Sequence, residues 1–385
     1  MNILIDLITS QHYSNMKYHG GGEYIKTIFF EILKEKKQNE IYFILSKKMD
    51  TPNEILEKLK NEKVIYLEDG ILEEIKKNKI ERFYIATLGN YLGIKFPKEL
   101  ELIVTIHDLR TLEIVYDNTM NFYNLELKHK IFGILYRIFL FSFCGEKLIK
   151  EIRKKLYLKK FENFYKHENL KIITVSKHSK NMLLTQIFKK ETDISVLYSP
   201  KKIILKEEIK KGYKFSYVLL ISANRMEKNN FRTIIALDEL ITDKLFERKV
   251  IVIGKIKEKI LKKIKNKDNF IFLDYIKDTE LENLYRNARV FIFSTISEGF
   301  GYPPIEAMKY GVPILSSAIT STTEILGDAP LYFNPFSIEE IKARIYQLED
   351  EKEYQNQKNK ILKNFDRIYF QQNEDLKKIV KIILE

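Results

Sequence analysis

Cysteine is nearly absent from this chain. The single Cys144 excludes an internal disulfide, and one thiol in an apolar, aromatic stretch reads as inert core in a reducing cytoplasm. No run of eighteen apolar residues occurs, so no membrane-spanning helix is expected. The opening Met-Asn-Ile-Leu-Ile-Asp-Leu lacks the basic flank and apolar core of a signal peptide and reads as a first strand. There is no zinc-spaced cysteine set, no RNP-like aromatic strand and no recognition helix, so nucleic acid is not expected as a partner despite a formal charge of +13. The lysines behind that charge are spread over the whole length and mixed with glutamates. An anionic membrane surface is the partner class that such a balance leaves open. Glycine is also scarce, at 14 residues, yet six of them are Gly20, Gly21, Gly22, Gly299, Gly301 and Gly311. They gather around two stretches. No internal repeat or low-complexity linker interrupts the chain.

What is present is alternation. A length of 385 residues suggests two domains of about 150–200 residues. Ile41–Leu45, Val64–Leu67, Phe83–Ala86, Leu102–Ile106 and Lys171–Ser176 read as strands, and 52–61 and 70–79 as helices. Tyr217–Ser222, Val250–Gly254, Phe270–Leu273, Phe291–Thr295 and Ile314–Ser316 read as a second set of strands. Strands alternating with helices predict an α/β fold with doubly wound parallel sheets. Ser176 is a candidate helix N-cap. A polar loop closing with Gly20-Gly21-Gly22 precedes a helix over 23–36, and consecutive glycines let backbone N–H groups approach a ligand. His107 ends a strand and so points to the crevice where open α/β sheets bind ligands; the Asp108 beside it either orients the imidazole or caps the next turn of chain. Residues 131–143 are almost wholly apolar, with basic residues from 147 to 160. They read either as a buried helix with a lysine-rich outer face or as an amphipathic surface docking on lipid.

The most informative stretch is 291–313. A β-prone apolar run is followed by a loop carrying Gly299 and Gly301, then by Pro303 and Pro304, which suit a helix's first turn. Free N–H groups at such a helix start favour phosphate, and ionised Glu298 and Glu306 can only accept from hydroxyls. Phosphate with hydroxyls suggests a nucleotide sugar.

Glu298 and Glu306, separated by Gly-Phe-Gly-Tyr-Pro-Pro-Ile and followed by Ala-Met and Gly-Val-Pro, resemble the donor-site motif of retaining glycosyltransferases of family 4 (glycosyl transferases group 1). The resemblance is continuous over about 217–336 and patchier before it. It implies a GT-B fold, two Rossmann-like domains facing across a cleft. The expected domains are 1–200 on the acceptor side, a linker at 201–214, a nucleotide-sugar domain at 215–365, and a helix at 366–385 returning to the first domain. Gly21 and Gly22 would lie under the donor diphosphate, and Lys228 would neutralise it. Ser222-Ala223 stands where the family has Gly and often Arg, so Arg225 is the substitute cation. Glu306 would accept from ribose, while Glu298 with Gly299, Phe300 and Gly301 would hold the sugar. His107 in Thr-Ile-His-Asp-Leu would face the anomeric carbon.

The implied reaction is transfer of a sugar from a nucleotide-sugar donor to a glycan or lipid-linked acceptor, with retention. No Asp-x-Asp occurs, so the diphosphate would be held without a metal. No cofactor is expected, the nucleotide sugar being a substrate. The expected location is cytoplasmic, on the inner membrane face if the basic stretch docks there. The alternatives are an epimerase or phosphorylase of the same architecture, and a non-catalytic nucleotide-sugar binder.

Overall fold

The computed structural model describes residues 1–12, 20–36, 39–67, 70–114, 123, 143–188, 192–202 and 213–385, without the side chains of 143–150. The apolar run 131–142 and nearly all of the 201–214 linker lie outside the described residues.

Contacts divide the chain into two compact units. The first comprises Met1–Leu109, Lys154–Ile203 and Tyr369–Glu385, the second Arg110–Arg153 and Ile204–Ile368. The first unit holds a seven-stranded sheet built of β1 (Asn2–Asp6), β2 (Glu40–Leu45), β3 (Lys63–Tyr66), β4 (Arg82–Ile85), β5 (Glu101–Ile106), β6 (Leu170–Thr174) and β7 (Ile194–Val196). Their order is β3-β2-β1-β4-β5-β6-β7. The second unit holds β8 (Tyr217–Leu220), β9 (Lys249–Ile253), β10 (Phe270–Leu273), β11 (Val290–Phe293), β12 (Ile314–Ser317) and β13 (Leu331–Phe333), ordered β10-β9-β8-β11-β12-β13. All of these strand pairs are parallel. Helices cover parallel sheets on both faces, so central strands become continuous apolar runs. Every residue of β4, β8, β11 and β12 is buried.

Each order reverses once, between β1 and β4 and between β8 and β11. Ligands bind open α/β sheets beyond the carboxyl ends at such switch points. In the second unit those ends lead into Ile221–Asn230 and Ser294–Gly301, the two stretches singled out in the sequence.

Several boundaries differ from the sequence reading. Gly20, Gly21 and Gly22 form the first turn of the helix Gly20–Glu35 rather than a loop before it; glycine's entropic cost applies to the middle of a helix, not to its first turn. The last helix runs over Glu351–Leu384, far longer than the expected 366–385. Its early part meets the second unit, where Arg367 Nη2 donates to the Ile325 carbonyl at 2.7 Å. Its late part meets the first, where Gln372 Nε2 donates to the Ser199 carbonyl at 2.7 Å and the Tyr198 N–H to Asp375 at 2.9 Å. The helix Ile338–Gln347 and β13 were not foreseen. Ser176 does cap its helix, accepting from the Ser179 N–H at 3.2 Å.

The turn after β8 explains a feature of the sequence. Ser222 has φ +56°, a left-handed conformation natural to glycine and costly for other residues. Beside it, Gly254 at φ +114° leaves room for that turn, because a Cβ there would lie 2.7 Å from the Ala223 nitrogen and 2.9 Å from Asn224 Oδ1. Ser222→Gly should therefore raise the urea midpoint, by about 0.5–1 kcal/mol of stability, whereas Gly254→Ala should lower it. Equal midpoints for wild type and both variants would contradict this reading of the turn.

Candidate functional site

The two loops at the second switch point are stitched together through backbone carbonyls of the first loop. The Glu227 carbonyl accepts from the Thr295 hydroxyl at 3.0 Å and the Ile296 N–H at 2.8 Å. The Lys228 carbonyl accepts from the Ser294 hydroxyl at 3.0 Å. Each bond contributes about 0.5–1.5 kcal/mol. Together they fix the chain that carries Lys228 against the chain that leads to Glu298.

The side chains complete the join. Lys228 Nζ donates to Glu298 Oε2, with the two side chains only 8% and 14% exposed. The ammonium also lies 5.0 Å from the Phe293 ring centroid, where the face of the ring attracts a cation. A pair this buried is held by its mutual charge, and removing one partner leaves the other uncompensated, at a cost of about 3–5 kcal/mol.

Glu298 is fixed from the far side as well. Its N–H donates to the Thr320 hydroxyl at 3.1 Å and its carbonyl accepts from the Ser321 hydroxyl at 2.8 Å. Thr320 has φ +50°, a rare conformation for a β-branched residue that persists only where surrounding contacts enforce it. Gly301, at φ +93°, caps the helix Tyr302–Met308, and Pro303 and Pro304 fall in its first turn as the sequence suggested. Phe300 is buried with its ring edge-on to Tyr302, 5.6 Å between centroids. Gly299 is buried beside it. Glu306 is half-buried on the same short helix. It faces the buried Tyr285, whose hydroxyl is pushed well above its usual range by burial and by the Glu306 carboxylate.

A second charge cluster adjoins the first. Arg225 Nε donates to Glu227 Oε1 at 2.7 Å, and Arg110 Nη1 donates to the same oxygen at 2.8 Å. Burial alone would raise the Glu227 carboxyl, but Arg225 and Arg110 outweigh it and hold the group below the usual carboxylate range. Arg110 and Glu113 lie on the four-residue helix Arg110–Glu113, and the Ser297 hydroxyl donates to Glu113 Oε2 at 3.0 Å. Arg110, Glu113, Glu227, Thr320 and Ser321 were not singled out from the sequence. Only two carried a signal there: Glu227 by adjoining Lys228, and Arg110 by following a strand's carboxyl end.

The remaining sequence candidates belong to the first unit. His107 follows β5, and its Nε2 is 3.1 Å from the Ala86 carbonyl; since a carbonyl only accepts, that bond requires the proton on Nε2. The ring meets Tyr24 edge-on, 4.7 Å between centroids, and Tyr24 lies in the helix that Gly21 and Gly22 begin. Lys228, Glu298 and the 299–301 loop are thus brought together in the second unit, with Arg225 joined through Glu227. In the first, His107 meets the helix that begins at Gly20 through Tyr24. Among the described residues no cluster of His, Cys, Asp and Glu could hold a metal ion, and no helix is long and apolar enough to cross a membrane.

Known proteins resemble this chain in sequence and in fold. Residues 202–365 match the family described as glycosyl transferases group 1. O-antigen chain mannosyltransferase B of Escherichia coli is 43% identical over 76 residues, 20% of either chain. O-antigen chain mannosyltransferase RfbU of Salmonella typhimurium is 28% identical over 195 residues, 49% of this chain and 53% of its own. The alignments therefore span a fifth to about half of these relatives' lengths. Among solved structures, WaaG, a glycosyltransferase involved in lipopolysaccharide biosynthesis, superposes with TM-score 0.64 at 13% identity, covering 99% of both chains. Two Rossmann-like parallel sheets in this order are the GT-B fold, and residues 202–365, less than half of the chain, are similar to the glycosyl transferases group 1 family.

Proposed function

We propose that this protein is a glycosyltransferase that moves a sugar from a nucleotide-sugar donor to a growing surface polysaccharide or lipid-linked acceptor. The observation that carries this reading is the Lys228–Glu298 pair, held within stitched loops at a sheet switch point. A cation and a carboxylate side by side, next to a glycine-containing loop, match the diphosphate and hydroxyls of such a donor. The names of the bacterial relatives support an O-antigen type of product and mannose as the sugar.

In this reading Lys228 and Arg225 take the diphosphate and stabilise charge that grows as the nucleotide leaves. Glu306 accepts from ribose, with Tyr285 behind it. Glu298 and the backbone of Gly299, Phe300 and Gly301 hold the sugar, Gly21 and Gly22 leave room for the diphosphate, and His107 acts at the anomeric carbon. Configuration is retained, and cationic side chains take the place of a metal.

Transfer from a nucleotide sugar should therefore proceed in excess chelator. Glu306→Ala should mainly raise donor KM, by a factor equivalent to about 1–3 kcal/mol, because ribose is bound equally in ground and transition states. Glu298→Ala and His107→Ala should mainly lower kcat. Steady-state kinetics on variants first checked for folding tests this assignment. Wild-type kcat in His107→Ala, or an absolute requirement for a divalent metal, would contradict it.

A lipid-linked acceptor would place the enzyme at a membrane surface. Supporting this, the helix Phe143–Tyr165 exposes Ile152 and Leu156 beside Lys155, Lys159 and Lys160. Co-sedimentation with anionic vesicles should weaken as salt rises. Equal recovery on neutral vesicles would count against membrane docking.

A further inference from the structure

Arg110 lies outside the matched family segment, yet it is tied to the loops that form the site. Its short helix contacts each loop. Arg110 Nη1 donates to Glu227 on the loop after β8, and the Ser297 hydroxyl on the loop after β11 donates to Glu113. One oxygen of Glu227 takes both guanidiniums, at 2.8 Å from Arg110 and 2.7 Å from Arg225. The carboxylate is 13% exposed, whereas the Arg110 and Arg225 side chains are 33% and 38% exposed. The acid is therefore inside and the cations reach outward.

We propose that Arg110 is a further cation of the diphosphate grip, held in place by Glu227 until the donor binds. This rests on the donor-site reading above and extends it to a residue from another part of the chain.

The charge balance favours the assignment. A donor diphosphate carries about two negative charges spread over several oxygens, and one ammonium answers only part of that. Lys228, 8% exposed, already faces Glu298. A guanidinium offers five N–H donors in a planar fork that suits phosphate oxygens. Arg110 can thus keep Glu227 as an anchor while turning donors to the ligand, or exchange the carboxylate for phosphate outright. In either case Glu227 fixes the position from which Arg110 acts. The competing role is a structural brace, with Arg110 and Glu113 only pinning their helix to the two loops. That role would not distinguish a nucleotide's phosphates from its nucleoside.

Calorimetry separates the two. Wild type, Arg110→Gln and Arg110→Lys are titrated with UDP, GDP, ADP and CDP, and with the matching nucleosides. For whichever diphosphate the wild type binds, Arg110→Gln should weaken binding about tenfold to a hundredfold and leave nucleoside binding unchanged. Arg110→Lys should recover part of the loss, and the salt dependence of diphosphate binding should be shallower in Arg110→Gln than in wild type. Unchanged diphosphate binding in Arg110→Gln overturns the proposal alone, as does an equal loss for diphosphate and nucleoside. If Arg110→Gln does not fold, Arg110→Lys carries the test, and wild-type diphosphate affinity in that variant overturns the proposal. Failure of the wild type to bind any of the four removes the donor-site reading and this proposal together.

Discussion

The second unit's candidate site depends on one join, between the loop after β8 and the loop after β11. Parallel strands bring the carboxyl ends of β8 and β11 side by side, but a sheet alone does not fix the loops beyond them. Three hydrogen bonds to the Glu227 and Lys228 carbonyls do so, and the Lys228–Glu298 pair closes the join with charge. Without those bonds the pair would lose its geometry. Without the pair, one of two nearly buried charges would be left uncompensated. Backbone and side chains therefore stabilise the same arrangement, which is how a site of fixed shape can sit on loops.

Around this join the chain accepts local strain. Ser222 and Thr320 both have left-handed φ, at +56° and +50°. Ser222 turns the chain out of β8 and past Gly254. Thr320 presents its hydroxyl to the Glu298 N–H. A serine and a threonine at such angles cost more than glycine would, and both lie in loops that adjoin the proposed ligand site. The first unit has a buried counterpart. Asp6, fully buried at the end of β1, is pushed up to about 7 by burial, against hydrogen bonds from the Ile8 N–H and the Thr9 hydroxyl.

Much of the fold was legible because it depends on local pattern. Apolar runs alternating with helical stretches gave the parallel sheets, and the placement of Gly299 and Gly301 led to the loop after β11. The Glu298 and Glu306 positions followed from one filled motif, and Lys228 from a second stretch, at the strand end near Ser222. What could not be read depends on contacts distant in sequence. Nothing in Arg110 or Glu113 signals that they meet Glu227 and Ser297, more than a hundred residues away. Thr320 and Ser321 look like ordinary helix-start residues until they are seen holding both backbone groups of Glu298. The three glycines at 20–22 read as a loop because glycine disfavours helix interiors, yet a first turn is not an interior. The last helix was cut short because its polar residues at 351–366 hide a stripe that includes buried Gln357, Ile361 and Asn364.

The central claim is that these stitched loops bind the diphosphate end of a nucleotide sugar. Amide hydrogen exchange with and without a bound nucleoside diphosphate tests it most directly, because it reports position as well as binding. Slowed exchange is expected at 222–230 and 294–301, with 110–114 joining them if Arg110 takes part. Binding that leaves both of those loops unchanged, with protection confined elsewhere in the chain, would contradict it.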